Sequence, residues 1–389
     1  MIVYIVMLLI SIVFLKLEEK QEKKKLKILM LILAVVPFFL VSILRYDLGT
    51  DYLKRYVHDF NEMAQGRNIE NLEIGFKLLI QFCLIFTTNP NILFVITSTI
   101  ILGLIMYTIF TKSKNYILSI LIFFLCGFFF NSLNLVRQYI AISLILFGYR
   151  FLLKEKKYYF AYILCTFIAM TMHSTSMIAI ILVFLNKKEI MNFKWLIPIS
   201  FLILIINENL FELIKPIIQN TRFNVYLTGN MAKGEISILY ILENFLVYIF
   251  MYYIYIKNKK VNQNGKEETL LLNVQGLSLL TTVCGACHMQ FMRIALYFFI
   301  FQIISIPLFI YKIPVDEVKK DIEKIFKKIK ISSEKIKLEK IMPKFKEIIS
   351  VIFIICLLCV FWHTNIKNND NEVVPYKTII NKEISIGEK

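Results

Sequence analysis

Long apolar segments joined by lysine-rich loops are the feature that most limits what this sequence can fold into. A helix needs roughly 20 apolar residues to cross the hydrocarbon core of a membrane, and several runs in this sequence reach or approach that length. Hydrophobic residues make up 58% of the 389 positions, and the mean hydropathy is +0.65. The sequence therefore predicts an all-α, polytopic integral membrane bundle.

The individual membrane segments follow from these apolar runs. We expect about 12–13 segments in a single transmembrane domain of residues 1–363, followed by a polar tail of residues 364–389. The candidate spans are residues 1–15, 28–44, 74–87, 91–110, 117–136, 139–153, 158–172, 174–185, 195–206, 236–256, 269–285, 294–311 and 348–362.

Lysine is concentrated in alternate loops, and this distribution predicts the orientation. Lys-rich loops stay on the cytoplasmic side, so we place residues 45–73 and 207–235 in large outer loops. The formal charge of +17 is then a positive-inside signature with attraction to anionic lipid, and no nucleic-acid partner is expected. The basic inner loop 312–347 has Val318 and Ile322 at helical spacing, which predicts an amphipathic helix on the membrane surface or a solvated loop helix.

Segment 74–87 disturbs the count of crossings. Counting from the amino terminus places residues 45–73, before the segment, outside, and counting back from the central lysine loops places residues 88–90, after it, outside as well. Both counts hold only if the segment is re-entrant, which its shortness and its polar residues Lys77 and Gln81 favour. The alternative is that Lys112 and Lys114 do not mark an inner loop.

Three central spans are too short for a full crossing as α-helices. At about 1.5 Å per residue, 139–153, 158–172 and 174–185 reach roughly 18–23 Å against a core of about 30 Å. Lysines anchor their inner ends, so Arg137 and His173 are expected below the outer membrane surface. Charged groups at that depth face a watered cavity or a partner, which predicts a recessed, outward-opening cavity.

Arginine and histidine lie almost entirely on the predicted outer side. The guanidinium group grips phosphate or carboxylate with two hydrogen bonds, which lysine cannot copy. All four histidines and six of the seven arginines fall there. They are Arg45, Arg55, Arg67, Arg137, Arg222, Arg293, His58, His173, His288 and His363.

Two acids, Arg137, His173 and one spacing that occurs twice provide further candidates for catalytic or binding residues. Asp47 and Asp51 share a face if their segment is helical. They could then act as a general base and its orienting group or bind a divalent ion. The alternative is that they only form local salt bridges. Arg137 and His173 are candidates for an anion contact and an acid–base group, or for a headgroup anchor and a structural histidine. The spacing R-x-x-x-Y occurs twice and puts ring and charge on one helix face: Arg222 with Tyr226, and Arg293 with Tyr297.

At these residues the chain resembles the EpsG-type membrane proteins, which belong with the Wzy-like polysaccharide polymerases of bacterial capsule and exopolysaccharide synthesis. The resemblance covers residues 45–311. It is carried by Arg45 with Gly49-Thr50-Asp51-Tyr52 and Tyr56, by Asn134 to Arg137-Gln138 with Ala141, by His173-Ser174, and by Arg293 with Tyr297-Phe298.

The resemblance implies a glycosyltransferase that acts at the outer face of the bacterial cytoplasmic membrane. It would join oligosaccharide repeat units held on undecaprenyl pyrophosphate, beside a flippase and a chain-length regulator. No cofactor is expected, although a divalent cation suits the paired acids. The predicted catalytic residues are Asp51, Asp47 and His173; the predicted pyrophosphate ligands are Arg45, Arg137, Gln138, Arg222 and Arg293; the predicted sugar-lining residues are Tyr52, Tyr56, Tyr226 and Tyr297.

Two other functions remain open from the sequence. A transporter or flippase of lipid-linked oligosaccharide would place polar groups near the membrane midplane between repeats, whereas here the ionisable residues cluster outside and no repeat is evident. A membrane O-acyltransferase would use His173 as a base to modify surface glycan. The glycan chain length of a deletion strain distinguishes both from a polymerase.

Overall fold

The computed structural model describes residues 1–206, 216, 238–260, 263–285, 289–328, 342–369 and 371–380. In these residues the regular structure is helical throughout, apart from one isolated β-bridge between Arg45 and Thr378. The predicted all-α, polytopic membrane fold is therefore confirmed.

Four helical segments in the described ranges are long and apolar enough to cross a membrane, and the number rises to six if each of two bent pairs is one span. The remaining predicted spans correspond to helices that are shorter, less apolar or more charged, so the total of about 12–13 segments stays a prediction. The four segments are Lys24–Ile43, Asn91–Lys112, Ile238–Lys260 and Met342–Lys367.

The chain folds into two compact units, Met1–Ile180 with Phe361–Lys389, and Ile181–Val360. The described part of the predicted polar tail, residues 364–369 and 371–380, therefore belongs to the first unit. The α-helices of this unit are α1 Ile2–Glu19, α2 Lys24–Ile43, α3 His58–Ala64, α4 Ile74–Leu84, α5 Asn91–Lys112, α6 Tyr116–Leu125, α7 Phe128–Asn134, α8 Val136–Leu152 and α9 Tyr159–Met172, with π-helical turns at Tyr52–Val57 and Trp362–Lys367.

The second unit is organised around buried amide side chains. Asn273 donates to the carbonyl oxygens of Leu185 and Lys188 and accepts from the N–H groups of Ile190 and Met191, which fixes that loop. Its described helices are α10 Phe193–Ile205, α11 Ile238–Lys260, α12 Lys266–Gly285, α13 Met289–Phe299, α14 Gln302–Tyr311, α15 Val315–Lys328 and α16 Phe345–Phe361. Residues 329–341 of the predicted basic loop lie outside the described residues.

Two spans that the sequence predicts as continuous are bent. Span 117–136 turns by 54° between α6 and α7. Gly127 has a φ of 74° there, the left-handed conformation with which glycine ends a helix. Span 294–311 is bent by 43° between α13 and α14. A run of apolar residues predicts that a segment lies in the membrane, but not that it is straight.

Segment 174–185 also differs in kind from the expected α-helix. Ser174–Phe184 is an 11-residue 3₁₀ helix, an uncommon length for this conformation. Because a 3₁₀ helix rises by about 2.0 Å per residue, the segment reaches farther than an α-helix of the same length. The difference between the length of this span and the thickness of the hydrocarbon core is therefore smaller than the sequence predicts.

Candidate functional site

The first candidate residues lie in a tight turn after α2. Asp47 and Gly49 have left-handed backbone conformations, with φ of 47° and 87°. A Cβ atom at Gly49 would lie 2.7 Å from Oδ1 of Asn134, so a larger residue would displace that amide. The turn is not helical, and Asp47 and Asp51 therefore do not share the helix face that their spacing allowed.

Asn134, the last residue of α7, binds this turn. Its Oδ1 accepts hydrogen bonds from Oγ1 of Thr50 at 3.3 Å and from the backbone N–H of Asp51 at 3.2 Å. The Gly-Thr-Asp motif and the Asn-x-x-Arg motif thus touch, although 83 residues separate Asp51 from Asn134.

The break between α7 and α8 separates Asn134 from Arg137. Leu135, with φ −94° and ψ 52°, lies between the two helices, so Arg137 falls in the first turn of α8. The two side chains, three residues apart, are therefore on either side of a break. Asn134 contacts the turn before α3, and Arg137 contacts a second group of residues.

That second group is a buried charge cluster of Arg137, Glu73 and His173. Nη1 of Arg137 lies 2.6 Å from Oε2 of Glu73, and Nδ1 of His173 lies 3.5 Å from Oε1 of the same carboxylate. The three side chains are 7%, 15% and 17% exposed, respectively. One carboxylate therefore bridges a guanidinium group and an imidazole ring.

A close approach of two helices creates the charge cluster. Glu73 caps the amino end of α4, and His173 caps the carboxyl end of α9. Between these ends, a Cβ atom at Gly75 would clash with Oγ1 of Thr171 and lie 2.8 Å from its carbonyl oxygen. Glycine at this position therefore lets α4 come near enough to α9 for Glu73 to reach His173.

The charges in the cluster determine its protonation. Burial by itself raises the pKa of Glu73, but the contact with His173 and the charge of Arg137 outweigh it and lower the pKa to about 2. An ionised carboxylate only accepts hydrogen bonds, so Nδ1 of a neutral His173 carries its proton beside Glu73. Nε2 is then the basic nitrogen of the ring, which is the arrangement of an oriented general base.

Arg45 is a buried guanidinium group among aromatic rings. It is 1% exposed, its Cζ lies 4.7 Å from the ring centroid of Phe94, and its Nη1 donates to the carbonyl oxygen of Ser42 at 3.1 Å. Nε and Nη2 make no hydrogen bond within the described part of the chain. Burial lowers the pKa of Arg45 to about 10, an effect that nearby tyrosines partly oppose.

Two predicted sugar-lining tyrosines are buried beside Arg45. Tyr52 stacks on Phe94 with centroids 4.3 Å apart, and both Tyr52 and Tyr56 are 2% exposed. Burial raises the pKa of Tyr56; Arg137 opposes this shift and Asp51 adds to it. Tyr56 is thus close to both charges and joins the turn to the charge cluster. The sugar-lining role of both tyrosines stays a prediction.

The two candidate aspartates have different surroundings. Oδ2 of Asp47 lies 3.0 Å from Nζ of Lys377. For Asp51, the described residues show no ion pair of its half-buried carboxylate. Asp47 is therefore paired with the carboxyl-terminal segment, whereas Asp51 lies near Tyr56.

The carboxyl-terminal segment pairs with the turn through its backbone. Arg45 forms the β-bridge with Thr378, the N–H of Tyr46 donates to the carbonyl oxygen of Lys377, and the N–H of Gly49 donates to that of Glu372. The sequence predicts only a polar tail here, whereas the structure shows that this tail contacts the candidate site.

The other predicted residues lie elsewhere. Gln138 is 3% exposed in α8 beside Arg137. Arg293 and Tyr297 are on α13 of the second unit, where the helix confirms their expected spacing and Tyr297 is fully buried. Arg222, Tyr226, His288 and the loop 207–235 apart from residue 216 are outside the described residues. Across the described ranges, no three His, Cys, Asp or Glu side chains converge as a metal site.

Sequence reasoning missed Glu73, Asn134 as a ligand of the turn, and Lys377. Glu73 was one of several acids in loop 45–73, and its position directly before a short apolar helix was the available signal, since acids favour helix amino termini. Asn134 was noted only as part of a motif. No signal in the sequence connects Lys377 with a turn 330 residues earlier.

Comparison with known proteins gives one match. The model of the EpsG family matches residues 27–329, which is more than half of the chain and includes the turn, the charge cluster, Arg222 and Arg293. The carboxyl-terminal segment lies beyond this range. No curated protein and no solved structure matches the chain.

Proposed function

Because the chain belongs to the EpsG family, a family of membrane proteins of the polysaccharide-polymerase type, we propose that it is a glycosyltransferase that polymerises lipid-linked oligosaccharide repeat units. The donor is a growing glycan on undecaprenyl pyrophosphate, and the acceptor is an incoming repeat unit. The reaction takes place at the outer face of the bacterial cytoplasmic membrane, where a flippase delivers the units and a chain-length regulator acts on the product.

The observation that carries the proposal is the combination of the Glu73–Arg137–His173 cluster with Asp51 and Arg45 in one unit. Glycosyl transfer from a pyrophosphate needs cations near the leaving phosphates and a base near the acceptor hydroxyl. The unit supplies both kinds of group among apolar helices that suit a lipid-linked substrate.

The chemistry assigns one role to each group. An acceptor hydroxyl attacks the anomeric carbon of the donor, its proton passes to the base, and the bond from that carbon to the pyrophosphate oxygen breaks. The geometry favours Nε2 of His173 as the base, because Glu73 orients the ring; Asp51 is the second candidate. Arg45 and Arg137 are the proposed cations for the leaving lipid pyrophosphate.

The experiment compares the lipid-linked glycans of variant cells. In His173→Ala and Asp51→Asn cells, repeat units are still built and flipped, so single units should accumulate where an external glycosidase reaches them, while long polymer is lost. His58→Ala is the matched control, since His58 is exposed beside Asp59 and should leave polymer unchanged. Long polymer in both His173→Ala and Asp51→Asn cells contradicts the catalytic assignment.

One observation favours a transporter as the second candidate. In the second unit, Oδ1 of buried Asn244 accepts hydrogen bonds from Ser278 at 2.7 Å and from Gln275 at 3.2 Å. Transporters place such polar groups inside the membrane, although polar side chains also join membrane helices structurally. Single units that accumulate in protected, inward-facing form in Asn244→Leu cells would point to the transporter.

A further inference from the structure

Arg45 presents an unusual charge balance. A buried guanidinium group is normally paired with a carboxylate or satisfied by several acceptors, because an unpaired buried charge is costly. Arg45 forms no ion pair with an acid in the described chain, and its Nε and Nη2 make no hydrogen bond there. The Phe94 ring at 4.7 Å compensates only part of the charge, since a cation–π contact contributes about 2 kcal/mol when desolvated.

The carboxyl-terminal segment covers this group. Thr378 pairs with Arg45 through the β-bridge, and Tyr376 is close enough to influence its charge. The hydroxyl of Tyr376 donates to the carbonyl oxygen of Val41 at 2.8 Å. These contacts place residues 376–380 over the end of α2, where Arg45 is 1% exposed.

The segment has a buried anchor at Val373 and a set of more peripheral attachments after it. Val373 is buried, and its carbonyl oxygen accepts a hydrogen bond from Tyr4 at 2.8 Å. After this anchor, the attachment includes the ion pair of Lys377 with Asp47, whose side chains are 52% and 37% exposed. Exposed ion pairs contribute at most about 1 kcal/mol. The covering part is also held by the hydrogen bond from the Tyr376 hydroxyl to Val41 and by two backbone hydrogen bonds beside the β-bridge, from Tyr46 N–H to Lys377 and from Ile379 N–H to Leu44. Opening therefore breaks one exposed ion pair and these three hydrogen bonds while Val373 stays in place.

We propose that Arg45 binds a phosphate group of the lipid pyrophosphate and that residues 376–380 are a lid that opens to admit it. The inference rests on the proposed function for the identity of the ligand. Opening breaks the Lys377–Asp47 pair and the β-bridge of Thr378 with Arg45, and the N–H groups of Nε and Nη2 then donate to phosphate oxygens. Residues 376–380 lie beyond the range that the family model matches.

A reversible lock tests the lid. Tyr46 and Lys377 are opposite each other in the antiparallel pairing, where Cα atoms are about 5.5 Å apart, a separation that a disulfide spans. In a chain whose native cysteines are replaced, Tyr46→Cys with Lys377→Cys is oxidised to close the lid and reduced to free it. Titration calorimetry of the purified full-length protein with inorganic pyrophosphate then measures the affinity in both states.

We expect oxidation to weaken pyrophosphate binding by about tenfold or more and reduction to restore it. Tyr46→Cys alone is the control and should bind equally with and without oxidant. Arg45→Met in the reduced background should remove the affinity that the lock controls. If that variant does not fold, the locked and unlocked states of the same chain still decide the question.

The same variants separate failure of the lid from failure of the proposed function. Equal affinity in the oxidised and reduced states overturns the lid, whatever the cells polymerise. Absence of pyrophosphate binding in the reduced protein overturns the Arg45 site. Polymer length in cells carrying the reduced and oxidised chain tests the polymerase separately, and an oxidised chain that still makes long polymer overturns the requirement for opening.

Discussion

Gly75 packs against Thr171 so closely that a Cβ atom on the glycine would lie 2.8 Å from the Thr171 carbonyl oxygen. The backbone atom cannot rotate away, so the two helices must separate to accept a methyl group. Glu73, two residues before Gly75, would then move away from His173. The contact between a residue without a side chain and a helix end thus controls the geometry of the charge cluster.

Replacement of Gly75 by alanine should therefore lower both stability and polymer length. We expect a loss of about 1–3 kcal/mol from overpacking, measured by thermal unfolding of the purified protein, together with loss of long polymer on gels. Gly103→Ala is the matched control, because Gly103 lies in α5 with open space around its Cβ position and alanine favours helix. If Gly75→Ala and Gly103→Ala lower stability and polymer length equally, close packing at Gly75 does not explain the loss.

Glu73→Gln should abolish most polymer while the protein remains in the membrane at its normal level. The amide keeps the shape but removes the negative charge that orients His173 and neutralises Arg137. Because a buried charge then loses its partner, stability should fall by about 1–3 kcal/mol. Glu62→Gln, which removes the carboxylate from the more exposed pair with Arg67, should cost at most about 1 kcal/mol and leave polymer unchanged.

The lowered pKa of Glu73 predicts an acid-dependent loss of stability. Its folded value of about 2 lies below its ordinary value of 4.5, so the unfolded state binds the proton more readily, and stability rises with pH between these values. The stabilisation is complete above the ordinary pKa and is lost as the pH falls towards about 2. Melting temperatures of wild type and Glu73→Gln should therefore converge between about pH 5 and pH 2; a constant difference would contradict the pKa shift.

Arg137→Lys and Arg293→Lys should each fail to support polymer at normal protein levels. Lysine keeps the charge but loses the planar fork that binds two oxygens at once, and at position 137 it also loses the short contact with Glu73. Arg67→Lys is the control, since Arg67 is 62% exposed. Near-normal polymer from both variants would reduce Arg137 and Arg293 to charged anchors.

Orientation is tested by labelling single cysteines in intact cells. In a background without native cysteines, position 58 should react with a membrane-impermeant thiol reagent, and positions 156 and 188 should not. All three side chains are exposed in the structure, so the membrane alone decides their access. Labelling of 156 or 188 but not 58 would invert the predicted topology and remove the outer-face assignment.

The sequence predicted the helical class correctly, and it failed where conformation depends on distant neighbours. The run 117–136 reads as one span because each residue is apolar, yet Gly127 bends it by 54° and starts α7, which carries Asn134. Asp47 and Asp51 have helical spacing but lie in a turn, because Asn134 binds its backbone from another part of the chain. Neither the bend at Gly127 nor the turn at Asp47 and Asp51 can be predicted from the local sequence pattern.

What the sequence determined by itself is the membrane-helix character of the chain, because each apolar helix satisfies its own backbone hydrogen bonds within one segment and needs no distant partner. The tertiary structure alone decided which polar groups meet. Arg137 is 64 residues from Glu73, and Lys377 is 330 residues from Asp47. Such contacts depend on how closely helices such as α4 and α9 pack. Glycine at position 75, which has no Cβ atom, permits this close packing, and the local sequence pattern does not predict it.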